Sequence, residues 1–219
     1  MNTSPSSECR EVSGLSPDPR VRVFRRTLHG LEDFEGMEVD AYVVLGASHV
    51  VVLDTLLNPG DVADMLAALG PASAGKQLLC VNSHADWDHV WGNGYFRHTR
   101  SVPIIAHERC RQRLLAPEAQ ARLERFQQKT RTFDGVMVVP PTLTFTEQMT
   151  IADEELSIEL RHAPGHCHDH IVAWLPALRL LLGFDAIEWP LPCIEESDCA
   201  AAMLSTLQCL AALNPLHVL

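Results

Sequence analysis

No apolar run in this sequence approaches the ~20 residues that a membrane-spanning helix needs, so no transmembrane segment is expected. Basic charge is scarce as well. Lys and Arg number 17 against 28 Asp and Glu, for a net charge of −11. Phosphate and anionic-lipid surfaces call for Lys and Arg, so neither nucleic acid nor membrane is an expected partner. The seven cysteines (Cys9, Cys80, Cys110, Cys167, Cys193, Cys199 and Cys209) are odd in number and contain no C-x-x-C pair. They fit a reducing compartment better than a disulfide framework. The opening MNTSPSSECREVSGLSPDPR has no apolar h-region, so the expected location is the cytoplasm. G-x-S-x-G, Walker and G-x-G-x-x-G motifs are missing too, which leaves serine-hydrolase, P-loop and Rossmann readings without support. No repeat at solenoid spacing occurs.

What is present reads as a layered α/β protein. The chain has 219 residues, 47% apolar and 21% charged, enough for a substantial core. Residues 1–20 are rich in Ser and Pro and read as a disordered tail, leaving 21–219 as the folded domain. VRVFRR reads as a strand. EVDAYVVLG and SHVVVLDTL are β-branched runs separated by a hairpin signal. NPGDVADMLAALG predicts a helix with Asn58 as N-cap, Pro59 in the first turn and Gly70 past its end. KQLLCVNS is the continuous apolar run of a strand buried on both faces. ERCRQRLL and PEAQARLERFQQKT predict helices split at Pro117. Residues 142–163 alternate like antiparallel strands, HIVAWLP and LRLLLGFDA read as a strand pair, residues 196–214 as a helix and LHVL as a last strand. The pattern predicts mixed sheets with helices around them.

Two histidines and two aspartates crowd into HADWDH, directly after a buried strand. In extended backbone His84 and Asp86 share a face, and a turn into a helix lets Asp88 and His89 line the same cavity. Loops at strand ends are where α/β sheets hold ligands. Imidazole and carboxylate together suit Zn, Fe or Mn. A second cluster, HAPGHCHDH, carries His162, His166, His168 and His170, with Pro164–Gly165 turning the chain before His166. A third feature, LLLGFDA, puts Asp185 at the end of an apolar run.

HADWDH, APGHCHDH and GFDA, in this order, resemble the metallo-β-lactamase-fold hydrolases, whose pattern is H-x-H-x-D-H, then a PGH histidine, then a strand-end Asp, then a last His. The resemblance runs from about Val21 to the C-terminus. It implies an αββα sandwich of two mixed sheets flanked by helices, and metal ligands at His84, Asp86, Asp88, His89, His166 and Asp185. It implies one or two divalent ions, zinc first, with iron or manganese as alternatives. It also implies a hydrolase that directs a metal-bound hydroxide at an ester, thioester, lactone or related small molecule, with Asp88 holding metal 2 and orienting the nucleophile. Two departures stand out. Asp86 replaces the second His of the first motif, and the sequence ends at LNPLHVL, where the family continues into a loop carrying its last His. The C-terminal part of the fold is accordingly expected to be incomplete, and His217 is not assigned as that ligand. A carboxylate at Asp86 keeps open a di-iron redox protein, and the absent last His a metal-weak binding domain.

The bland reading of each remaining feature is preferred. Trp87 and Trp91 pack the metal loop, Cys167 is a small core thiol, and Asp54 holds the loop by hydrogen bonds. His168 and His170 are neighbours of the site rather than ligands. Asp169 is read as orienting a ligand imidazole. His29, His49, His98, His107 and His162 read as ordinary histidines.

Overall fold

Period-two alternation of apolar side chains explains most of the architecture in the computed structural model, which describes residues 9–97, 102–188, 190–194 and 197–219. His98 and residues 1–8 of the expected tail lie outside the described residues. One sheet has seven strands lying in chain order: β1 (Arg10–Glu11), β2 (Val21–Thr27), β3 (Glu38–Leu45), β4 (His49–Leu53), β5 (Gln77–Val81), β6 (Ile104–His107) and β7 (Leu143–Phe145). Its strands pair antiparallel from β1 to β4 and parallel from β4 to β7. The other sheet has five strands: β8 (Gln148–Ile151), β9 (Ile158–His162), β10 (Ile171–Leu175), β11 (Leu180–Leu182) and β12 (His217–Val218). They are antiparallel except for the last pair.

The two faces of the first sheet go to different partners. Ala41, Val43 and Leu45 of β3 join Val52 of β4 and Cys80 of β5 beneath the helices α1 (Pro59–Leu69), α3 (Glu108–Leu115) and α4 (Pro117–Lys129). Tyr42 and Val44, one residue out of phase, join Val51, Leu53, Leu79 and Val81 against Leu160, Ile171, Ala173 and Leu175 of the second sheet. That sheet in turn sends Val172, Trp174 and Leu181 outward to Leu210 of α5 (Ala200–Ala212). Each fully buried aliphatic side chain contributes about 1.5–3 kcal/mol. The result is the helix–sheet–sheet–helix sandwich that the family resemblance implies.

Local signals hold as well. Asn58 caps α1 by accepting the Gly60 and Asp61 amides, and Asp61 accepts the Asn58 amide in return. Part of the supposed tail is corrected. Arg10–Glu11 adds an edge strand to β2, fixed by an Arg22–Glu11 ion pair, and Asp18 holds Arg20 at 2.8 Å. Among the described residues no helix is long and apolar enough to cross a membrane.

The topology sends four loops to one rim. Asp54 follows β4, residues 82–89 follow β5, His166 sits between β9 and β10, and Asp185 follows β11. Parallel β4 and β5 end on the same side, so their outgoing loops meet there.

Candidate metal centre

The β5 exit forms a short helix, α2 (Trp87–Val90), that turns the HADWDH side chains inward. His84, Asp86 and His89 are buried. Asp54 anchors this loop from a left-handed backbone conformation (φ 67°) at the end of β4. Its carboxylate accepts the Ser83 amide at 2.7 Å and the Ser83 hydroxyl at 2.7 Å, and lies 2.8 Å from His89 Nδ1. Ser83 Oγ in turn lies 2.8 Å from His84 Nδ1. His166 Nδ1 faces the Cys193 carbonyl at 3.1 Å. With acceptors at all three Nδ1 atoms, the three Nε2 atoms are left to face the centre.

There they meet carboxylates. Asp86 Oδ2 is 3.1 Å from His84 Nε2 and 3.2 Å from His166 Nε2. Asp185 Oδ2 is 3.3 Å from His89 Nε2, 3.5 Å from His84 Nε2 and 3.6 Å from His166 Nε2. Donors about 2.0–2.1 Å from a common tetrahedral centre sit about 3.3–3.4 Å apart. The observed separations therefore suit two triads, His84–Asp86–His166 and His84–His89–Asp185. His84 Nε2 is buried and makes no hydrogen bond. An unmet ring nitrogen among carboxylates is the environment a divalent cation completes. The donor set thus fits the metal that the sequence implies.

Charge tells the same story. Burial and His89 oppose protonation of His84, yet Asp86 and Asp185 raise its pKa. Burial likewise opposes His89, but Asp185, Asp88 and Asp54 push it well above the usual imidazole value. His166 is pushed up to about 9, against burial, by its bond to Asp86 and by Asp185. Despite burial, Asp86 is held well below the carboxylate range by His84 and His166, and Asp185 by His89. Without a cation the cluster holds protons in its place.

Of the six predicted residues, five supply the triads. Asp88 stands at the rim, with Oδ2 3.6 Å from His89 Nε2, and belongs to neither triad. Burial, together with Asp185 and Asp86, raises its pKa in spite of His89. It lines a cavity of about 430 Å³ with His89, Asp185, Tyr42, Arg25 and Glu188.

Other assignments sort themselves by contact. Trp87 and Trp91 pack at 5.4 Å within a cluster that includes Phe126 and Phe133. Cys167 is buried, and its thiol pKa is raised by that burial. His170 is also buried, 5.1 Å from the His84 ring, and neither of its nitrogens has a hydrogen-bond partner. His107 is buried and stacks on His162 at 4.0 Å. Asp169 does not orient an imidazole. It accepts the Ala85 amide at 2.8 Å and ion-pairs with Arg113, because its side chain turns towards α3 while its neighbours His166 and His170 face the rings. Sequence reasoning missed Ser83 and Arg113. Ser83 had one signal, its place between the strand and His84. Arg113 had none.

A sequence profile of the metallo-beta-lactamase superfamily matches residues 35–188, most of the chain and every residue of both triads. The chain belongs to that superfamily. No curated protein matches it in sequence. Solved structures share its fold. A metallo-beta-lactamase family protein from Thermus thermophilus superposes with a TM-score of 0.69 at 20% identity, covering 91% of this chain and 72% of that one. The FIM-1 metallo-beta-lactamase of Pseudomonas aeruginosa, in its mono-zinc form, gives 0.65 at 15% identity over 93% and 83%. DIM-1 metallo-beta-lactamase gives 0.67 at 16% over 94% and 85%. Membership in the metallo-beta-lactamase superfamily makes this chain, in general terms, a metal-dependent hydrolase.

Proposed function

We propose that the chain hydrolyses a neutral small-molecule ester, thioester or lactone with zinc held at the two triads. The observation that carries this reading is the convergence of three Nε2 atoms and two carboxylate oxygens, separated by 3.1–3.6 Å, beside an open cavity. His84, Asp86 and His166 would hold one ion and His89 with Asp185 a second, since the single lone pair of His84 Nε2 serves one ion at a time. A divalent ion there supplies a Lewis acid that polarises the scissile carbonyl and makes water a competent nucleophile at neutral pH. Asp88 serves as the proton carrier. It lines the cavity 3.6 Å from His89 Nε2, where a carboxylate outside the triads can take a proton from attacking water and pass it to the leaving oxygen or sulfur. Tyr42 and Phe184 give the cavity an apolar flank against which a substrate body can lie.

The cavity wall favours neutral substrates over polyanions. Arg25 lines it, but Asp40 binds this guanidinium at 2.7 and 2.8 Å and Glu38 at 2.7 Å. Glu188 adds a further negative charge to the wall. No free cation among these lining residues is left to hold a phosphate. Elemental analysis followed by turnover of matched neutral and phosphorylated esters tests the reading. Zinc in the protein and a preference for the neutral ester are expected. Two irons would instead support the redox alternative, and a metal-free, inactive protein the binding-domain alternative.

A further inference from the structure

Asp86 uses its two oxygens for different things. Oδ2 sits among the imidazoles, 3.1 Å from His84 Nε2 and 3.2 Å from His166 Nε2. Oδ1 points the other way and accepts Arg113 Nη2 at 2.7 Å. The same guanidinium ion-pairs with Asp169, whose second oxygen accepts the amide of Ala85, the residue before Asp86. Arg113 and Asp169 therefore grip the 85–86 segment from side chain and backbone at once. Arg122 stands behind, 3.9 Å from Asp86 Oδ1. Arg113 reaches this point from α3, 27 residues along the chain from Asp86.

A carboxylate can bind a metal through one oxygen or through both. Which it does depends on what else claims its lone pairs. A guanidinium on one oxygen ties up that oxygen, fixes the plane of the group and offsets its charge. The ion then meets one oxygen from Asp86, as it would meet one nitrogen from an imidazole. We propose that Arg113 is a positioning residue that makes Asp86 a one-oxygen ligand and so keeps the His84–Asp86–His166 site at low coordination number. This rests on the metal-site reading above. A purely structural tie between α3 and the metal loop predicts lower stability without Arg113 but no change in how the ion is bound.

Cobalt(II) separates the two, because its visible absorption is strong in four-coordinate sites and weak at higher coordination. The full chain is stripped with a chelator and given one equivalent of cobalt chloride. Uptake is measured by elemental analysis, the visible band by absorption and folding by circular dichroism. Arg113→Met frees Oδ1 to join the ion, and the band per bound cobalt should fall by about half or more. Arg113→Lys keeps a charge but cannot hold both carboxylates, and should fall in the same direction by less. In an Asp86→His background the imidazole has a single donor to offer, so Arg113→Met should leave the band unchanged. Should Arg113→Met fail to fold, Arg113→Lys alone decides. A band unchanged in every folded Arg113 variant that still takes up cobalt overturns the role of Arg113 and leaves the metal site standing. Wild-type protein that takes up neither cobalt nor zinc overturns the metal site itself, and the role of Arg113 falls with it.

Discussion

The Asp54 carboxylate reaches two imidazoles of the candidate metal centre at once, touching His89 Nδ1 directly at 2.8 Å and His84 through Ser83 Oγ, which it accepts at 2.7 Å. One buried group thus sets the ring planes on both sides of the site. Asn at this position tolerates the left-handed backbone but replaces one acceptor oxygen with a donor. Asp54→Asn should lower zinc affinity by roughly 10–100-fold while the protein remains folded. Competition against a chromophoric chelator measures this, and wild-type affinity in the variant would remove Asp54 from the site's support.

Metal removal should destabilise the protein, and increasingly so as pH rises. A ligand at about 100 times its Kd adds about 2.7 kcal/mol, which is roughly 5–10 °C in Tm for a chain of this size. His166 gives the direction with pH. Its pKa in the ion-free fold is about 9, above the usual imidazole value. That raised pKa stabilises the ion-free protein below pH ~6.5, and the contribution is lost as pH rises towards 9. Over the same interval the ion has fewer protons to displace. The gap in Tm between zinc-loaded and chelated protein should therefore widen from pH 6.5 to 9 in paired thermal melts. A constant gap would separate ion binding from these imidazoles.

Asp153 should stabilise the fold in a pH-dependent way. Its oxygens accept the amides of Ala47 at 2.8 Å, Ser48 at 3.0 Å and Glu155 at 3.0 Å, tying the β3–β4 turn to the β8–β9 turn. Burial opposes ionisation, but these amides hold its pKa well below the carboxylate range. A depressed pKa gives stability that is present above the unfolded value near 4 and lost as pH falls through the folded one. Asp153→Asn should cost about 1–3 kcal/mol at pH 7, and less at pH 3. Urea titrations at the two pH values decide; an equal cost at both would show that the charge is irrelevant.

Gly92 should tolerate no side chain. A Cβ there would lie 1.9 Å from the Thr55 carbonyl oxygen, backbone that cannot swing away. The same contact docks the metal loop, since Thr55 N donates to the His89 carbonyl at 2.8 Å. Gly92→Ala should cost more than about 3 kcal/mol, or else shift the loop and reduce zinc uptake. A variant with native Tm and native uptake would mean that the approach relaxes without consequence.

How much of this was legible in the sequence followed the range of each interaction. The β3–β4 hairpin and the cap at Asn58 are local, and their residue types announce them. The triads could be read because His84, Asp86 and His89 are neighbours in sequence and His166 follows a Pro–Gly turn. Arg113 could not. ERCRQRLL reads only as a helix, and nothing local says that one of its arginines crosses to Asp86. The edge strand Arg10–Glu11 was hidden too, because two polar residues in a Ser- and Pro-rich stretch carry no alternation. His170 reads as part of a polar loop, yet β10 begins at the next residue and draws it inside.

The division of the site between the two sheets also orders events in time. His84, Asp86 and His89 leave β5 of the seven-stranded sheet, while His166 and Asp185 belong to the five-stranded one. As the chain emerges from a ribosome, the first three residues are exposed long before the last two exist. Neither triad can close until Asp185 or His166 has been made and the sheets have docked. Capture of an ion by both halves of the site would therefore be a late step in biogenesis, coupled to the docking of the two sheets.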